Sequence, residues 1–154
     1  MSKKLKIGII GSGGIAQGCH MRGYASMPDL CEMVAVCDVN PETAKQAAEK
    51  YSVEKTYTDY KQLLADPEID AVSVATPNAY HMQPTIDALN AGKHVICEKP
   101  LAMNADEARK MCAAARDTGK ILQVALQQRF TGQARFMKQY IDDGNMGDIY
   151  YARA

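Results

Sequence analysis

A glycine-rich segment, Gly11-Ser12-Gly13-Gly14-Ile15-Ala16, follows a short apolar run near the start of the chain. Its spacing fits the pattern G-x-G-x-x-G/A, in which Gly11 permits a tight turn, Gly13 lets a pyrophosphate approach the backbone, and Ala16 lets the next helix pack closely. The N-terminus of that helix would present free N–H groups and the positive end of its dipole. The segment predicts a dinucleotide-binding turn, although glycine-rich turns also end strands for purely conformational reasons.

Asp38 strengthens the interpretation of this turn. It ends the second apolar run, where an acidic side chain can accept hydrogen bonds from both hydroxyls of an adenosine ribose. The same carboxylate would repel the 2′-phosphate of NADP at close range. NAD is therefore the predicted cofactor and NADP the less favoured one. Arg22 carries the opposite charge, but its position on the first helix suits solvent better than phosphate.

A third segment that could do chemistry is Glu98-Lys99-Pro100, which follows the apolar run His94–Cys97. A lysine at the end of a strand could donate a hydrogen bond to a substrate oxygen. Partial burial would favour its neutral amine, which can exchange a proton. The alternative is a surface lysine before a turn proline. Lys99 is the candidate catalytic residue.

These three segments need a scaffold that brings them to one place. Apolar runs of strand length alternate with helical patterns, which is typical of βαβ units on a parallel sheet. We predict strands at Leu5–Ile10, Met33–Cys37, Lys55–Tyr57, Ala71–Ala75, His94–Cys97 and Ile121–Ala125. Because right-handed crossovers dominate, the predicted fold is α/β, a doubly wound parallel sheet in the order 3-2-1-4-5-6. Its ligand crevice would lie at the carboxyl ends of the strands.

The predicted helices carry start and stop signals. Asn40-Pro41 combines a capping side chain with a proline at the first helical position. Asn104 and Glu107 have the spacing of a capping box. Gly92 and Gly119 are predicted to end helices.

Composition argues against several kinds of partner and site. The 154 residues include 18 basic and 18 acidic side chains, so no overall field would attract a nucleic acid or an anionic membrane. Five cysteines without a C-x-x-C pair argue against a disulfide framework and against a metal site, and they favour a reducing cytoplasm. No apolar run is long enough to span a bilayer.

The sequence as a whole resembles the N-terminal domain of the Gfo/Idh/MocA oxidoreductases, the group that contains glucose-fructose oxidoreductase and inositol 2-dehydrogenase. The matching segments are the Gly11–Ala16 turn, Asp38, Thr76-Pro77-Asn78-Ala79-Tyr80-His81, the Gly92–Val95 lead-in, Glu98-Lys99-Pro100 and Arg129-Phe130. The resemblance implies hydride transfer between a nicotinamide and a secondary alcohol of a sugar, polyol or related compound. Lys99 would lie beside both the nicotinamide and the substrate.

The resemblance also implies roles for other residues near the cofactor. Thr76, Pro77 and Asn78 would line the cofactor crevice, and Glu98 and Pro100 would shape the turn around Lys99. His81 would either contact the cofactor or serve as a capping or packing residue. Gln127 replaces an asparagine that the family often has, which keeps the amide but lengthens its reach, and Arg129 would lie behind it. His20 and His94 are interpreted as structural.

The predicted domains are residues 1–146, an NAD(P)-binding Rossmann domain, and 147–154, which resembles the start of a second, substrate-binding domain. That domain would supply the partners of Lys99 and often an oligomer interface, so the full-length parent would be a homo-oligomeric dehydrogenase. The chain itself would bind cofactor without catalysis, and residues 148–154 would be disordered or paired with another chain.

Two other functions remain open at this point. A free-standing Rossmann domain could be an NAD-binding sensor or partner module without catalysis. A reductase of imines or biliverdin-like tetrapyrroles would use a similar nucleotide domain, although Lys99-Pro100 disfavours it.

Overall fold

Six parallel strands form a single sheet in this computed structural model, which describes residues 3–153. Residues 1, 2 and 154, the outermost residues of the two predicted domains, lie outside the described part. The strands are β1 (Leu5–Ile10), β2 (Cys31–Cys37), β3 (Lys55–Tyr57), β4 (Ala71–Val74), β5 (His94–Cys97) and β6 (Leu122–Val124). Their order is β3-β2-β1-β4-β5-β6, and every neighbouring pair is parallel. The predicted doubly wound sheet is confirmed.

Helices cover both faces of this sheet. A π-helical segment, Ala16–Met21, runs directly into α1 (Arg22–Ala25), and the other helices are α2 (Pro41–Tyr51), α3 (Tyr60–Leu64), α4 (Met82–Asn90), α5 (Ala105–Thr118) and α6 (Gly132–Asp142). Short 3-10 turns occupy Asn78–Tyr80 and Gln127–Phe130. The predicted caps are confirmed, since the Asn40 side chain accepts from the Glu42 amide and Asn104 from the Glu107 amide.

Three strands differ from their predicted bounds. β2 begins two residues earlier than predicted, because Leu5 and Lys6 of β1 pair with Cys31 and Glu32. β4 ends one residue early, although the Ala75 amide still donates to the carbonyl of Ile10 at 2.8 Å. β6 lies at the sheet edge with β5 as its one neighbour, and it is shorter than predicted at both ends.

The core lies in two layers, one on each face of the sheet. On one face, Ile7, Ile9 and Val36 pack with Ala16 and Met21 of the π-helical segment and with the alanines of α2. On the other face, buried residues of β1, β2, β4 and β5 pack against α3, α4 and α5. Both surfaces of the central strands are therefore buried, as parallel strands require.

The chain after β6 is packed differently. None of the residues of α6 is buried, and its apolar side chains Phe136, Met137, Tyr140 and Ile141 are exposed. Residues 149–153 form neither helix nor strand, and Tyr150 is 99% exposed. Across residues 3–153, we find no helix with the length and apolar character needed to cross a membrane.

Candidate functional site

The predicted segments meet at one edge of the sheet. Strands β1, β2, β4 and β5 are each followed by one more ladder hydrogen bond. These bonds run from the amides of Gly11, Asp38, Ala75 and Glu98 to the carbonyls of Cys37, Tyr57, Ile10 and Val74, respectively. The donor–acceptor distances are 2.8 to 3.2 Å. The glycine turn, the acid, the loop after β4 and the lysine segment therefore start from the same line of backbone.

Gly11 and Gly13 have different physical roles in the turn after β1. Gly11 has a φ of +83°, and a Cβ there would lie 2.8 Å from the amide nitrogen of Thr76 and 2.9 Å from the carbonyl of Ala75. A side chain is therefore excluded by the protein itself. A Cβ on Gly13 or Gly14 would meet no protein atom within 4 Å. The backbone of these two residues is open to a ligand.

The open side of the turn faces a cleft of about 880 Å³. Of the predicted cofactor-binding residues, those that line it are Gly11, Gly13, Gly14, Ile15, Asp38, Thr76 and Pro77. Val39, Thr58, Tyr60, Tyr80 and Glu107 also line the cleft and were missed from the sequence. Val39 is an apolar residue directly after the strand-end acid, and its side chain is 90% exposed in the structure, which marks it as a lining residue.

Cys37 also lines the cleft, at the end of β2. Burial raises the pKa of its thiol to about 12, and the neighbouring Asp38 carboxylate adds to the shift. The thiol stays protonated at neutral pH and behaves as a small apolar group. It therefore adds to the apolar wall of the cleft.

Asp38 is held in place by backbone groups on both sides. Its Oδ2 accepts from the Ser12 amide at 2.9 Å and from the Ser12 hydroxyl at 3.3 Å, while Oδ1 accepts from the Asn40 amide at 3.0 Å. A carboxylate has about four acceptor positions. Three are in use in this structure, which leaves one acceptor position for a ribose hydroxyl, and a second hydroxyl would take the place of one of these bonds. Arg22 is exposed and does not line the cleft.

Most of the loop after β4 lines the cleft, but not all of it. Thr76 and Pro77 line it, whereas Asn78 is exposed, begins a 3-10 turn and is not among the lining residues. The Thr76 hydroxyl donates to the carbonyl of Tyr80 at 3.0 Å, which closes the loop on itself. The loop therefore presents a rigid wall to the cleft.

His81 differs from the predicted cofactor contact. Its side chain is fully buried. Nδ1 lies 2.8 Å from the carbonyl oxygen of Pro100, and Nε2 lies 2.9 Å from that of Thr76. Both ring nitrogens already face backbone acceptors, so we interpret His81 as the residue that ties the loop after β4 to the lysine segment.

Glu98 and Lys99 face opposite environments. Glu98 is 4% exposed, and its Oε2 accepts the backbone N–H of Lys99 at 3.0 Å. Lys99 and Pro100 are exposed, and the peptide bond between them is cis. None of the three lines the cleft of about 880 Å³. The described residues alone leave Lys99 exposed.

His20 has partners that the sequence does not indicate. Its Nε2 lies 2.9 Å from Glu98 Oε1 and its Nδ1 lies 3.2 Å from the Ser73 hydroxyl. His94 is structural, because its Nδ1 accepts from the Ile121 amide at 3.1 Å.

Gln127 and Arg129 lie in the 3-10 turn after β6. Both are exposed, and neither lines the cleft. The structure therefore does not bring Gln127 together with the glycine turn or Asp38.

Ala16 is fully buried against the sheet, where it lets the helix approach the strand.

The cleft fits a dinucleotide in its chemistry. The first amides of a helix have no partner within that helix, and here they follow glycines whose Cβ positions are empty. Phosphate oxygens can therefore approach the backbone amides, and Asp38, bonded to Ser12 of the turn, has one acceptor position free for a sugar hydroxyl.

Comparison with known proteins supports this assignment. Residues 5–126 match a family described as an oxidoreductase family with an NAD-binding Rossmann fold. The chain is 39% identical over 153 residues to the D-glucoside 3-dehydrogenase of Escherichia coli, a match that covers 99% of this chain and 43% of that protein. It is 36% identical over 154 residues to the levoglucosan dehydrogenase of Pseudarthrobacter phenanthrenivorans, covering 96% and 39%.

A solved structure has the same fold. The WlbA dehydrogenase from Bordetella pertussis, in complex with NADH and UDP-GlcNAcA, matches with a TM-score of 0.91 at 31% identity. The match covers 96% of this chain and 45% of that chain. The chain thus spans less than half the length of each of these relatives.

Proposed function

Because the chain belongs to the Gfo/Idh/MocA oxidoreductases, a family with an NAD-binding Rossmann fold, its cofactor is NAD, and we propose that it is the cofactor domain of a dehydrogenase acting on a sugar or polyol. The observation that carries the proposal is the pair Gly13 and Gly14, whose Cβ positions are empty, facing the same cleft as Asp38. The sugar-type substrate is supported by relatives named for D-glucoside and levoglucosan oxidation.

Lys99 has the position of an acid–base residue in this proposal. NAD, when bound, supplies the acceptor for a hydride from the substrate's alcohol carbon. The Lys99 side chain, as a neutral amine, would accept the hydroxyl proton while the hydride leaves the alcohol carbon, and the ammonium so formed would stay beside the product carbonyl oxygen. The carboxylate of the buried Glu98 accepts the backbone N–H of Lys99, so only the side chain of Lys99 is left to move. The exposed lysine needs further walls to shield it from water.

We propose that those walls belong to a second domain. In this proposal residues 1–146 are the cofactor domain and 147–154 begin the substrate domain. The exposed apolar side chains of α6, Phe136, Met137, Tyr140 and Ile141, support it, because such a patch usually marks a packing surface. The greater length of the relatives supports it too. The two-domain protein would bind its substrate between the domains and associate into a homo-oligomer.

Cofactor preference tests the proposal at Asp38. Calorimetric titration of the 154-residue chain is expected to give tighter binding of NAD than of NADP, because the carboxylate would face the 2′-phosphate. Asp38→Ser, which removes the charge, is expected to narrow this difference by roughly tenfold or more, about 1.4 kcal/mol. Asp38→Asn should act in the same direction while keeping an acceptor oxygen for one of the two amides, that of Ser12 or that of Asn40.

A matched control for the charge is Asp29→Ser, because Asp29 is exposed and does not line the cleft. It should leave the ratio of the two affinities unchanged. Equal or tighter binding of NADP by the unmodified chain would contradict the assigned role of Asp38.

A further inference from the structure

A continuous chain of hydrogen bonds runs beneath the lysine segment. Tyr24 Oη lies 2.6 Å from the Ser73 hydroxyl, which lies 3.2 Å from His20 Nδ1. His20 Nε2 lies 2.9 Å from Glu98 Oε1, and Glu98 Oε2 accepts the Lys99 amide at 3.0 Å. The side chains of His20 and Glu98 are 7% and 5% exposed, and Ser73 is fully buried. His20, Glu98 and Ser73 therefore lie together in a buried part of the fold.

The direction of these bonds follows from what each group can donate. An ionised carboxylate only accepts, so His20 Nε2 must carry the hydrogen that points to Glu98. Burial raises the pKa of the Tyr24 hydroxyl, which therefore keeps its proton and can donate to Ser73. The Ser73 proton can then point at His20 Nδ1. In the alternative arrangement a proton on Nδ1 is donated to the Ser73 oxygen, which has two acceptor positions, so the two arrangements differ in whether Nδ1 is protonated.

His20 also connects two parts of the site. It lies in the π-helical segment Ala16–Met21, on the helix that begins at the glycine turn. Such wide turns are rare and occur frequently at functional sites. The helix that would meet the phosphates thus also holds, through His20 and Glu98, the backbone of Lys99.

We propose that His20, as the neutral Nε2–H tautomer set by Tyr24 and Ser73, is a positioning residue for Lys99. It fixes the Glu98 carboxylate, and Glu98 in turn fixes the Lys99 backbone at the carboxyl edge of the sheet. The importance of this position for catalysis rests on the proposed function. The tautomer and the hold on the Lys99 amide do not, and both can be measured in the chain without a substrate.

The tautomer is tested by nitrogen NMR of the imidazoles in ¹⁵N-labelled chain at neutral pH. The chain has three histidines, His20, His81 and His94, so single variants such as His94→Gln assign the signals. We expect His20 Nε2 as a protonated nitrogen and Nδ1 as an unprotonated one. Tyr24→Phe, which removes the hydroxyl that orients Ser73, should weaken this preference. A His20 whose Nδ1 carries the proton in the unmodified chain would overturn the proposed tautomer.

The positioning role is tested by hydrogen exchange of the Lys99 amide. His20→Ala should accelerate this exchange by about tenfold to a hundredfold, the range for a weakened hydrogen bond to a charged acceptor. His20→Gln, whose side-chain amide can still donate to Glu98, should restore most of the protection. His94→Ala is the control and should leave the Lys99 amide unchanged. If His20→Ala unfolds the chain, His20→Leu provides the same comparison, because leucine also lacks a donor for Glu98 but leaves a smaller cavity.

A folded His20→Ala or His20→Leu chain with unchanged exchange at Lys99 would overturn the positioning role. An NAD titration of the same samples separates this outcome from the cofactor assignment. Failure of the unmodified chain to bind NAD would contradict the proposed function, while the tautomer and the amide exchange would still decide the role of His20.

Discussion

Gly13→Val is expected to lower the affinity for NAD by about 100-fold or more, about 2.8 kcal/mol of binding free energy, while the chain stays folded. The valine would occupy the space through which a pyrophosphate reaches the backbone amides, and each lost bond to a charged oxygen costs about 1.5–3 kcal/mol. Folding should survive because a Cβ at Gly13 meets no protein atom within 4 Å. Calorimetric titration with NAD and a thermal melt of the same sample measure both quantities.

Two other glycines make this comparison sharp. Gly23→Val is the control for the added bulk, because a Cβ on Gly23 also meets nothing within 4 Å and the residue does not line the cleft. Its NAD affinity should be unchanged. Gly11→Ala should instead reduce stability, since its Cβ would collide with backbone atoms of residues 75 and 76. Near-normal NAD affinity in a folded Gly13→Val chain would show that the dinucleotide binds elsewhere.

Lys99→Ala, made in the proposed two-domain enzyme, is expected to lower kcat by on the order of 10²–10⁴ with little change in NAD affinity. The alcohol oxygen would lose both its hydrogen-bond donor and the group that takes its proton. NAD affinity should persist because Lys99 does not line the dinucleotide cleft. Steady-state kinetics over a panel of sugars and polyols, with a separate NAD titration, give the two values.

Lys110→Ala is the matched control for this lysine, because Lys110 is an exposed residue of α5 outside the cleft. It should retain normal kcat. A Lys99→Ala enzyme with near-normal turnover would make Lys99 a surface residue of the turn. A folded full-length protein that binds NAD but oxidises no sugar or polyol would instead favour the sensor hypothesis.

The strand order and the glycine turn could be predicted because both depend on local patterns. β1, β3 and β5 have the predicted bounds, and each is a short run that contains strand-forming residues such as Ile, Val, Thr or Tyr. The order then follows from the handedness of parallel crossovers. The position of Asp38 at the cleft follows from the same geometry, because strand ends of a parallel sheet share one edge.

Side-chain partners across the fold could not be predicted in this way. His20 and Glu98 are 78 residues apart in sequence, and neither carries a signal that names the other. The same holds for His81, whose two carbonyl partners come from loops five and 19 residues away. The hydrogen bonds of Asp38 to Ser12 and Asn40 depend on the rotamer of the Asp38 side chain, which strand patterns do not determine.

A titration of ¹⁵N-labelled 154-residue chain with NAD, followed in ¹H–¹⁵N correlation spectra, tests most directly whether this cleft holds the cofactor. The expected result is saturable shifts of the amides of Gly13, Gly14 and Ile15, with further shifts at Asp38 and Thr76, all of which line the cleft. Amides of α6 should not move. Absence of shifts at millimolar NAD, or saturable shifts confined to residues outside the cleft, would contradict the assignment of this site.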